Sequence, residues 1–209
     1  MQTLYPLYLN IEGRRCLVVG GGTVALRKIE GLLNAGADVH VVSPDILDEI
    51  RRLPVSVQAR PFRESDARGT ALVIAATDDH AVNLRVAASA NELNIPVNVV
   101  DQPGLCSFFL PAVVRRGGLV ISVSTSGASP ALAKRLRQRL EMEFGAEYEV
   151  YVKWLDSYRA EVLARVKSPE KRHQILEEMA SEEIEQLIRT QGFEAARDRL
   201  QRLADDLNC

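Results

Sequence analysis

Between Arg15 and Val100, short runs of β-branched and apolar residues alternate with longer segments of helical periodicity. The short runs read CLVVG, DVHVV, VSVQA, ALVIAA and PVNVV, and the helical segments include residues 23–35 and 79–93. Strands that alternate with helices in this way form a parallel sheet covered by helices on both faces. The sequence therefore predicts an α/β fold of the Rossmann type, a doubly wound parallel sheet with five strands.

The pattern changes in the second half of the chain. FFLPAVVRR and LVISVST, separated by two glycines, predict an antiparallel hairpin, and a helix over residues 130–144 follows it. Beyond that helix the sequence is charged and helical in periodicity, and breaks at Pro169 and Gly192 predict three tail helices. We therefore expect three regions: a Rossmann domain over 1–110, a hairpin-plus-helix segment over 111–145 and a small helical domain over 146–209.

Composition excludes several classes of protein. Cys16, Cys106 and Cys209 are odd in number and far apart, which argues against a disulfide framework and a zinc site, and we expect no bound metal. The apolar runs are too short for a membrane span, and the start of the chain lacks a basic leader, so we expect a cytoplasmic protein that contacts no membrane.

The net charge of the chain is −2, but charge is distributed unevenly along it. Segment 111–145 alone has a net charge of +4. This segment has no interleaved aromatic residues, so it resembles a nucleic-acid surface poorly. A basic segment of this kind fits a small polyanionic ligand better.

A glycine motif lies between the first strand and the first helix. Gly20, Gly22 and Ala25 satisfy the pattern G-x-G-x-x-G/A, in which small residues allow a tight turn and close approach of a pyrophosphate to the helix N-terminus. The alternative is a tight turn that binds nothing, and the motif's context favours a dinucleotide. The predicted contacts in this loop are Gly20, Gly21, Gly22, Thr23 and Val24.

The end of the second strand departs from the usual NAD pattern. An acidic residue normally holds the ribose there, but this strand ends in Ser43 and Pro44, with Asp45 just beyond. Three alternatives follow: Ser43 binds a ribose hydroxyl, Asp45 substitutes from the loop, or the site takes NADP.

Two further strand ends carry polar residues. Thr77 and Asp78 follow the fourth strand and are predicted to contact the cofactor, although Asp78 or Asp79 could instead cap the next helix. Asp101 follows the fifth strand, where a carboxylate could move protons beside a nicotinamide. The competing interpretation is that Asp101 simply begins a turn.

A hydroxyl-rich loop, STSGASP, precedes helix 130–144 and suits an anion. Ser129 also suits the plain role of a helix cap, and most of the basic residues that follow suit a solvated face. The predicted substrate contacts in this half of the chain are Ser124, Thr125, Ser126, Ser129, Arg115 and Arg116.

Together these segments resemble the precorrin-2 dehydrogenase and sirohydrochlorin ferrochelatase family of siroheme biosynthesis, including the amino-terminal part of siroheme synthase. The resemblance rests on YPLYLNIEGRRCLVVGGGTVALRK, LLNAGADVHVVSP, LVIAATDD and NVVDQPGLCSFFLPAVVRRGGLVISVSTSGASPALAKRLR, and covers residues 4–140. Within the family the second strand ordinarily ends in a small residue followed by proline, as it does here.

The resemblance implies NAD-dependent oxidation of precorrin-2 to sirohydrochlorin by a homodimer in which segment 111–145 forms the dimer contacts. It also implies that Asp101 is the general acid/base and that the basic segment meets the carboxylates of the tetrapyrrole. Insertion of Fe²⁺ or Co²⁺ into the product is an open alternative, as are a chelatase without dehydrogenase activity and a redox sensor that binds NAD(H).

Overall fold

The computed structural model describes residues 3–206, so Cys209 lies outside the described residues. The chain divides into two compact units, Leu4–Leu110 and a second that begins at Pro111. None of the described helices is both long and apolar enough to cross a membrane.

The first unit contains a five-stranded parallel sheet with the order β3-β2-β1-β4-β5. Its strands are β1 Arg15–Val19, β2 Asp38–Val42, β3 Ser56–Gln58, β4 Leu72–Ala75 and β5 Val97–Val99. The strand order reverses between β1 and β4, and ligands of such sheets bind outside the carboxyl ends of the strands at this point. The predicted doubly wound fold is confirmed.

Helices cover both faces of the sheet because the central strands are apolar on both sides. Val18 packs with Ile29 on one face, and Leu17 packs with Val86 on the other, as alternation along a strand requires. The helices of this unit are α1 Thr23–Leu33, α2 Asp48–Arg51 and α3 His80–Glu92, with short 3₁₀ turns at Glu64–Ala67 and Pro103–Leu105. Neither α2 nor the two 3₁₀ turns was predicted from the sequence pattern.

The second unit begins with the predicted antiparallel hairpin. Strands β6 Ala112–Arg116 and β7 Leu119–Val123 pair in the register Arg116 opposite Leu119. Gly117 takes a φ of 55° in the two-residue turn, a conformation that glycine adopts without strain. Helix α4, Pro130–Glu143, follows this hairpin as predicted.

The tail of the second unit contains four helices up to residue 206, so the prediction of three was wrong. They are α5 Glu147–Arg165, α6 Pro169–Glu178, α7 Glu182–Gln191 and α8 Phe193–Asp206. The break that the sequence analysis missed is at Ser181, whose hydroxyl accepts a hydrogen bond from the Ile184 amide at 3.3 Å and begins α7. Tyr158, Ile175, Ile184 and Leu200 are buried in the core that the tail helices share.

Candidate functional site

The loop between β1 and α1 is packed so tightly that two of its glycines cannot be replaced. Gly20 has a φ of 127°, and a Cβ on it would overlap the carbonyl oxygen of Ala76. A Cβ on Gly21 would overlap the carbonyl oxygen of Asp45. The Gly20 amide donates to the carbonyl of Val42 at 3.0 Å. These contacts fix the loop against the ends of β2 and β4.

Gly22 differs from its two neighbours because nothing among residues 3–206 requires a glycine there. Its φ is −90°, which any residue adopts, and a Cβ on it would meet no atom within 4 Å. The open space in front of Gly22 is what close approach of a bound pyrophosphate requires.

The N-terminus of α1 also favours an anion. Gly22 is the N-cap of α1 and brings no side chain to cap the first backbone amides, and the first turn contains no acidic residue. Free amides and the helix dipole at such an end attract a phosphate group. Thr23, which is exposed, and Val24, which is half-buried, form the predicted first turn. The residues present therefore fit the pyrophosphate of a dinucleotide.

At the tip of β2, Ser43 is only 9% exposed, and its amide donates to the carbonyl of Gln58 at 3.2 Å. Its hydroxyl has no protein partner within residues 3–206. Pro44 and Asp45 follow it and are exposed, and the backbone of Asp45 lies against Gly21. The three predicted residues thus border the glycine loop.

The tip of β4 is held by a residue that the sequence analysis missed. Asn83 on α3 is 2% exposed; its side-chain amide donates to the Thr77 carbonyl at 2.9 Å, and the Thr77 hydroxyl donates to its amide oxygen at 2.8 Å. Asp79, whose carboxylate accepts from the Ala81 amide at 2.8 Å, caps α3, and Asp78 stays exposed. Asn83 could have been identified from the sequence, because it is a polar residue on the apolar face of a predicted helix.

Asp101 is exposed just past β5, with a φ of 59°. Aspartate tolerates this left-handed conformation better than most residues do, and such conformations recur at functional sites. Backbone bonds hold the turn, with the Val100 amide donating to Ala75 at 2.9 Å. The thiol of Cys106 lies 3.2 Å from both the amide and the carbonyl of Val99, so it anchors the same turn.

A second residue missed from the sequence is Lys28 on α1. Burial lowers the pKa of its ammonium group, repulsion by Arg27 lowers it further, and attraction by Asp101 opposes both effects. Lys28 is therefore within electrostatic reach of the Asp101 carboxylate. Its position in a helix gave no signal, because the charges that surround a helical side chain depend on the tertiary structure.

The STSGASP loop of the second unit is held mostly by its own hydroxyls. The hydroxyl of Thr125 donates to the Ser129 carbonyl at 3.1 Å and accepts from the Ser129 amide at 3.1 Å. The Ser129 hydroxyl caps α4 by accepting from the Leu132 amide at 3.2 Å, and Ser124 accepts from the Ser126 amide at 3.2 Å. Ser126 has a φ of 50°, and its hydroxyl has no partner in the described part of the chain.

The two predicted arginines differ in their surroundings. Arg116 donates to the carbonyls of Phe144 at 3.0 Å and Glu141 at 3.2 Å, so it clamps the carboxyl end of α4. Arg115 is exposed, and its guanidinium has no partner among residues 3–206. The free cation of the pair is therefore Arg115.

No group of three or more His, Cys, Asp or Glu side chains in the described ranges could hold a metal ion. Burial raises the pKa of the Cys16 thiol to about 11, so this side chain stays protonated at neutral pH.

Comparison with protein families gives two matches. Residues 7–112 match a family described as putative NAD(P)-binding, and residues 116–142 match the central region of a sirohaem biosynthesis protein. The first covers the unit with the glycine loop, and the second covers most of the hairpin and α4.

Curated relatives include siroheme synthases. The chain is 40% identical over 201 residues to the enzyme of Nitrosomonas eutropha and 42% identical over 200 residues to that of Nitrosomonas europaea. These matches cover 94% and 93% of the chain, but the chain spans only 42% of the length of either relative.

A solved structure resembles nearly the full length of the chain. The precorrin-2 dehydrogenase SirC is 30% identical, superposes with a TM-score of 0.78, and the match covers 97% of this chain and 100% of that one. The similarity thus extends through the tail helices, beyond the residues 4–140 on which the sequence resemblance rested.

Proposed function

This chain belongs to the sirohaem biosynthesis family that includes precorrin-2 dehydrogenase, and we propose that it oxidises precorrin-2 to sirohydrochlorin. In this reaction one hydride passes from the macrocycle to NAD⁺, and one proton is released. The observation that carries the proposal is Gly22, which has open space before it at an uncapped helix N-terminus. A glycine that the fold itself does not require is accounted for by a dinucleotide that approaches the backbone.

The glycine loop and the tips of β2 and β4 hold the cofactor in this proposal. Amides of the α1 N-terminus bind the pyrophosphate, and Ser43 and Asp45 face the ribose. The pair Thr77 and Asn83 holds the loop after β4, where Thr77 and Asp78 are the proposed cofactor contacts. Bound here, NAD⁺ supplies the hydride acceptor.

Asp101 takes the proton that leaves the macrocycle. The proposal is supported by its exposure at the carboxyl edge of the sheet and by its left-handed backbone, which the surrounding turn maintains. The Lys28 ammonium lies within electrostatic reach of this carboxylate, and the Cys106 thiol keeps the turn in place.

The substrate contacts that we propose lie on the hairpin and in the STSGASP loop. Acetate and propionate groups of the tetrapyrrole need cationic and hydroxyl partners, and Arg115 and Ser126 have side chains that no described protein group occupies. The other predicted contacts bond to the backbone of the same segment and so support Arg115 and Ser126; they are Ser124, Thr125, Ser129 and Arg116.

We further propose a homodimer in the cytoplasm. Apolar side chains on the hairpin and α4 stay exposed, namely Val113 at 39%, Leu132 at 37%, Leu136 at 36% and Met142 at 81%. A second copy would cover them. The free thiols of Cys16 and Cys106 suit a reducing compartment. A sedimentation experiment that gave only the 23.1 kDa species at micromolar concentration would contradict the dimer.

The central experiment incubates the protein anaerobically with precorrin-2 and NAD⁺ and follows NADH formation and macrocycle absorption together. The proposal requires both signals to change in step. If the protein binds NAD⁺ and neither signal changes, the glycine loop serves a sensor or another substrate. Addition of Fe²⁺ or Co²⁺ to the product then tests whether the chain also inserts metal.

Two variants test the proton-transfer role. Asp101→Asn keeps a side chain that tolerates the left-handed backbone, and we expect it to slow oxidation by about 10² to 10⁴-fold without loss of NAD⁺ binding. Glu92→Gln removes an exposed carboxylate at the carboxyl end of α3, away from the site, and should keep the wild-type rate. Equal rates for both variants would return Asp101 to the role of a turn residue.

A further inference from the structure

The tip of β2 contains a free negative charge beside the glycine loop. The backbone of Asp45 lies against Gly21, and its carboxylate is exposed with no hydrogen bond or ion pair to any described residue. In a dinucleotide bound at α1, the 2′-hydroxyl of the adenosine ribose falls at the end of β2. A 2′-phosphate would therefore bring its charge close to an unneutralised carboxylate.

A suitable cation is also close to this place, but it is engaged elsewhere. The carbonyl of Gln58, at the end of β3, accepts both the Ser43 amide at 3.2 Å and the Arg60 amide at 3.0 Å, so Arg60 follows β3 directly beside the β2 tip. Its guanidinium donates to the two oxygens of Asp66 at 2.6 and 2.8 Å, to the Pro61 carbonyl at 2.9 Å and to the Gln58 side chain.

The ion pair that engages Arg60 is itself firmly held. The side chain of Asp66 is 9% exposed, and it also accepts a hydrogen bond from the Arg63 amide at 2.8 Å. A bidentate pair with a third bond to the backbone has little freedom to open. Arg60 is therefore not available to a phosphate group, although its position in the chain would suit one.

We propose that Asp45 and the Arg60–Asp66 pair make this site select NAD⁺ against its 2′-phosphorylated counterpart. Asp45 repels the extra phosphate, and Asp66 withholds the guanidinium that would otherwise neutralise it. This inference rests on the proposed function, because it assumes that the glycine loop holds a dinucleotide. It assigns cofactor choice to Asp45, in the loop just after β2, and to an ion pair that follows β3.

Calorimetric titration of the full chain with NAD⁺ and NADP⁺ tests the proposal through binding alone. We expect wild type to bind NADP⁺ at least about tenfold more weakly than NAD⁺, with a gap that narrows as salt screens the repulsion. Asp45→Asn should tighten NADP⁺ binding about fivefold and weaken NAD⁺ binding, because Asp45 faces the ribose, so the ratio of the two affinities should shift toward NADP⁺. Glu30→Gln, which neutralises an exposed carboxylate further along α1, should change neither affinity.

Asp66→Asn adds a second test, since it should release Arg60 and tighten NADP⁺ binding further, and Arg60→Gln in that background should reverse the gain. Asp66→Asn removes a partly buried ion pair and can destabilise the loop. Asp45→Asn changes an exposed residue, so it is sufficient on its own to test the inference. Equal wild-type affinities, or equal effects of Asp45→Asn on both dinucleotides, would overturn the inference. Loss of binding to both dinucleotides in wild type would instead overturn the proposed function.

Discussion

Asn83 and Thr77 exchange two hydrogen bonds, in which the Asn83 amide donates to the Thr77 carbonyl at 2.9 Å and the Thr77 hydroxyl donates to the Asn83 amide oxygen at 2.8 Å. The pair joins α3 to the loop after β4, at the carboxyl edge of the sheet where the proposed dinucleotide site lies. Asn83 is 2% exposed and Thr77 is half-buried, so both bonds satisfy polar groups that are largely removed from water.

Asn83→Ala should therefore lower the free energy of unfolding by about 1 to 2 kcal/mol, because the half-buried Thr77 loses both bonds to Asn83 and its hydroxyl keeps only the bond to the Asp79 carbonyl at 3.1 Å. Urea unfolding measures this loss. Asn91→Ala on the exposed side of the same helix is the control and should change stability by less than about 0.5 kcal/mol. The interpretation fails if the two variants are equally stable.

Gly22→Ala tests the glycine loop without disturbing the fold. The added methyl meets no protein atom within 4 Å and needs no unusual backbone, so we expect wild-type stability. It would occupy the space that a pyrophosphate needs and should weaken NAD⁺ binding about tenfold or more, as titration calorimetry would show.

Gly31→Ala is the matched control, since Gly31 lies within α1 and its added Cβ also meets nothing within 4 Å. Alanine favours a helix over glycine, so this variant should gain about 0.5 to 1 kcal/mol of stability and bind NAD⁺ as wild type does. Unchanged NAD⁺ affinity in Gly22→Ala would show that no ligand approaches the loop.

Asp66 makes the stability of the first unit sensitive to acid. Burial raises the pKa of this carboxyl, but hydrogen bonds from Arg60 and from the Arg63 amide outweigh burial and hold the pKa below its ordinary value. A carboxyl with a lowered pKa in the folded state stabilises the protein above its unfolded pKa, about 3.9, and this stabilisation is lost as pH falls through the folded value.

We therefore expect Asp66→Asn to be less stable than wild type at neutral pH, with a difference that shrinks below about pH 4. Urea unfolding at several pH values gives both curves. A difference that stays constant down to about pH 2 would mean that Asp66 acts through packing and not through its charge.

Sequence periodicity was sufficient for the sheet, because β1 and β4 are apolar on both faces and only a covered parallel sheet buries them. The tail was harder to predict. The break at Ser181 follows Met179 and Ala180, with no glycine or proline to mark it. A local pattern cannot distinguish such a serine from one inside a longer helix.

The residues around the site show the same limit. The glycine loop and Asp101 were predicted because a glycine motif and the end of a predicted strand are both visible in the linear sequence. Asn83, Lys28 and Arg60 were missed because their importance depends on which elements meet in space. The engagement of Arg116 with the end of α4 was likewise invisible, since its partners lie 25 and 28 residues away in the sequence.

Replacement by alanine should affect stability at Arg116 and substrate binding at Arg115. Arg116→Ala removes three hydrogen bonds, to the carbonyls of Arg115, Glu141 and Phe144, and should lower the unfolding free energy by about 1 to 3 kcal/mol. Arg115→Ala removes an exposed guanidinium without a partner and should leave stability unchanged while raising the KM for precorrin-2. Thermal unfolding and steady-state kinetics separate the two effects. A rise in KM for Arg116→Ala alone would transfer the substrate role to the arginine that clamps α4.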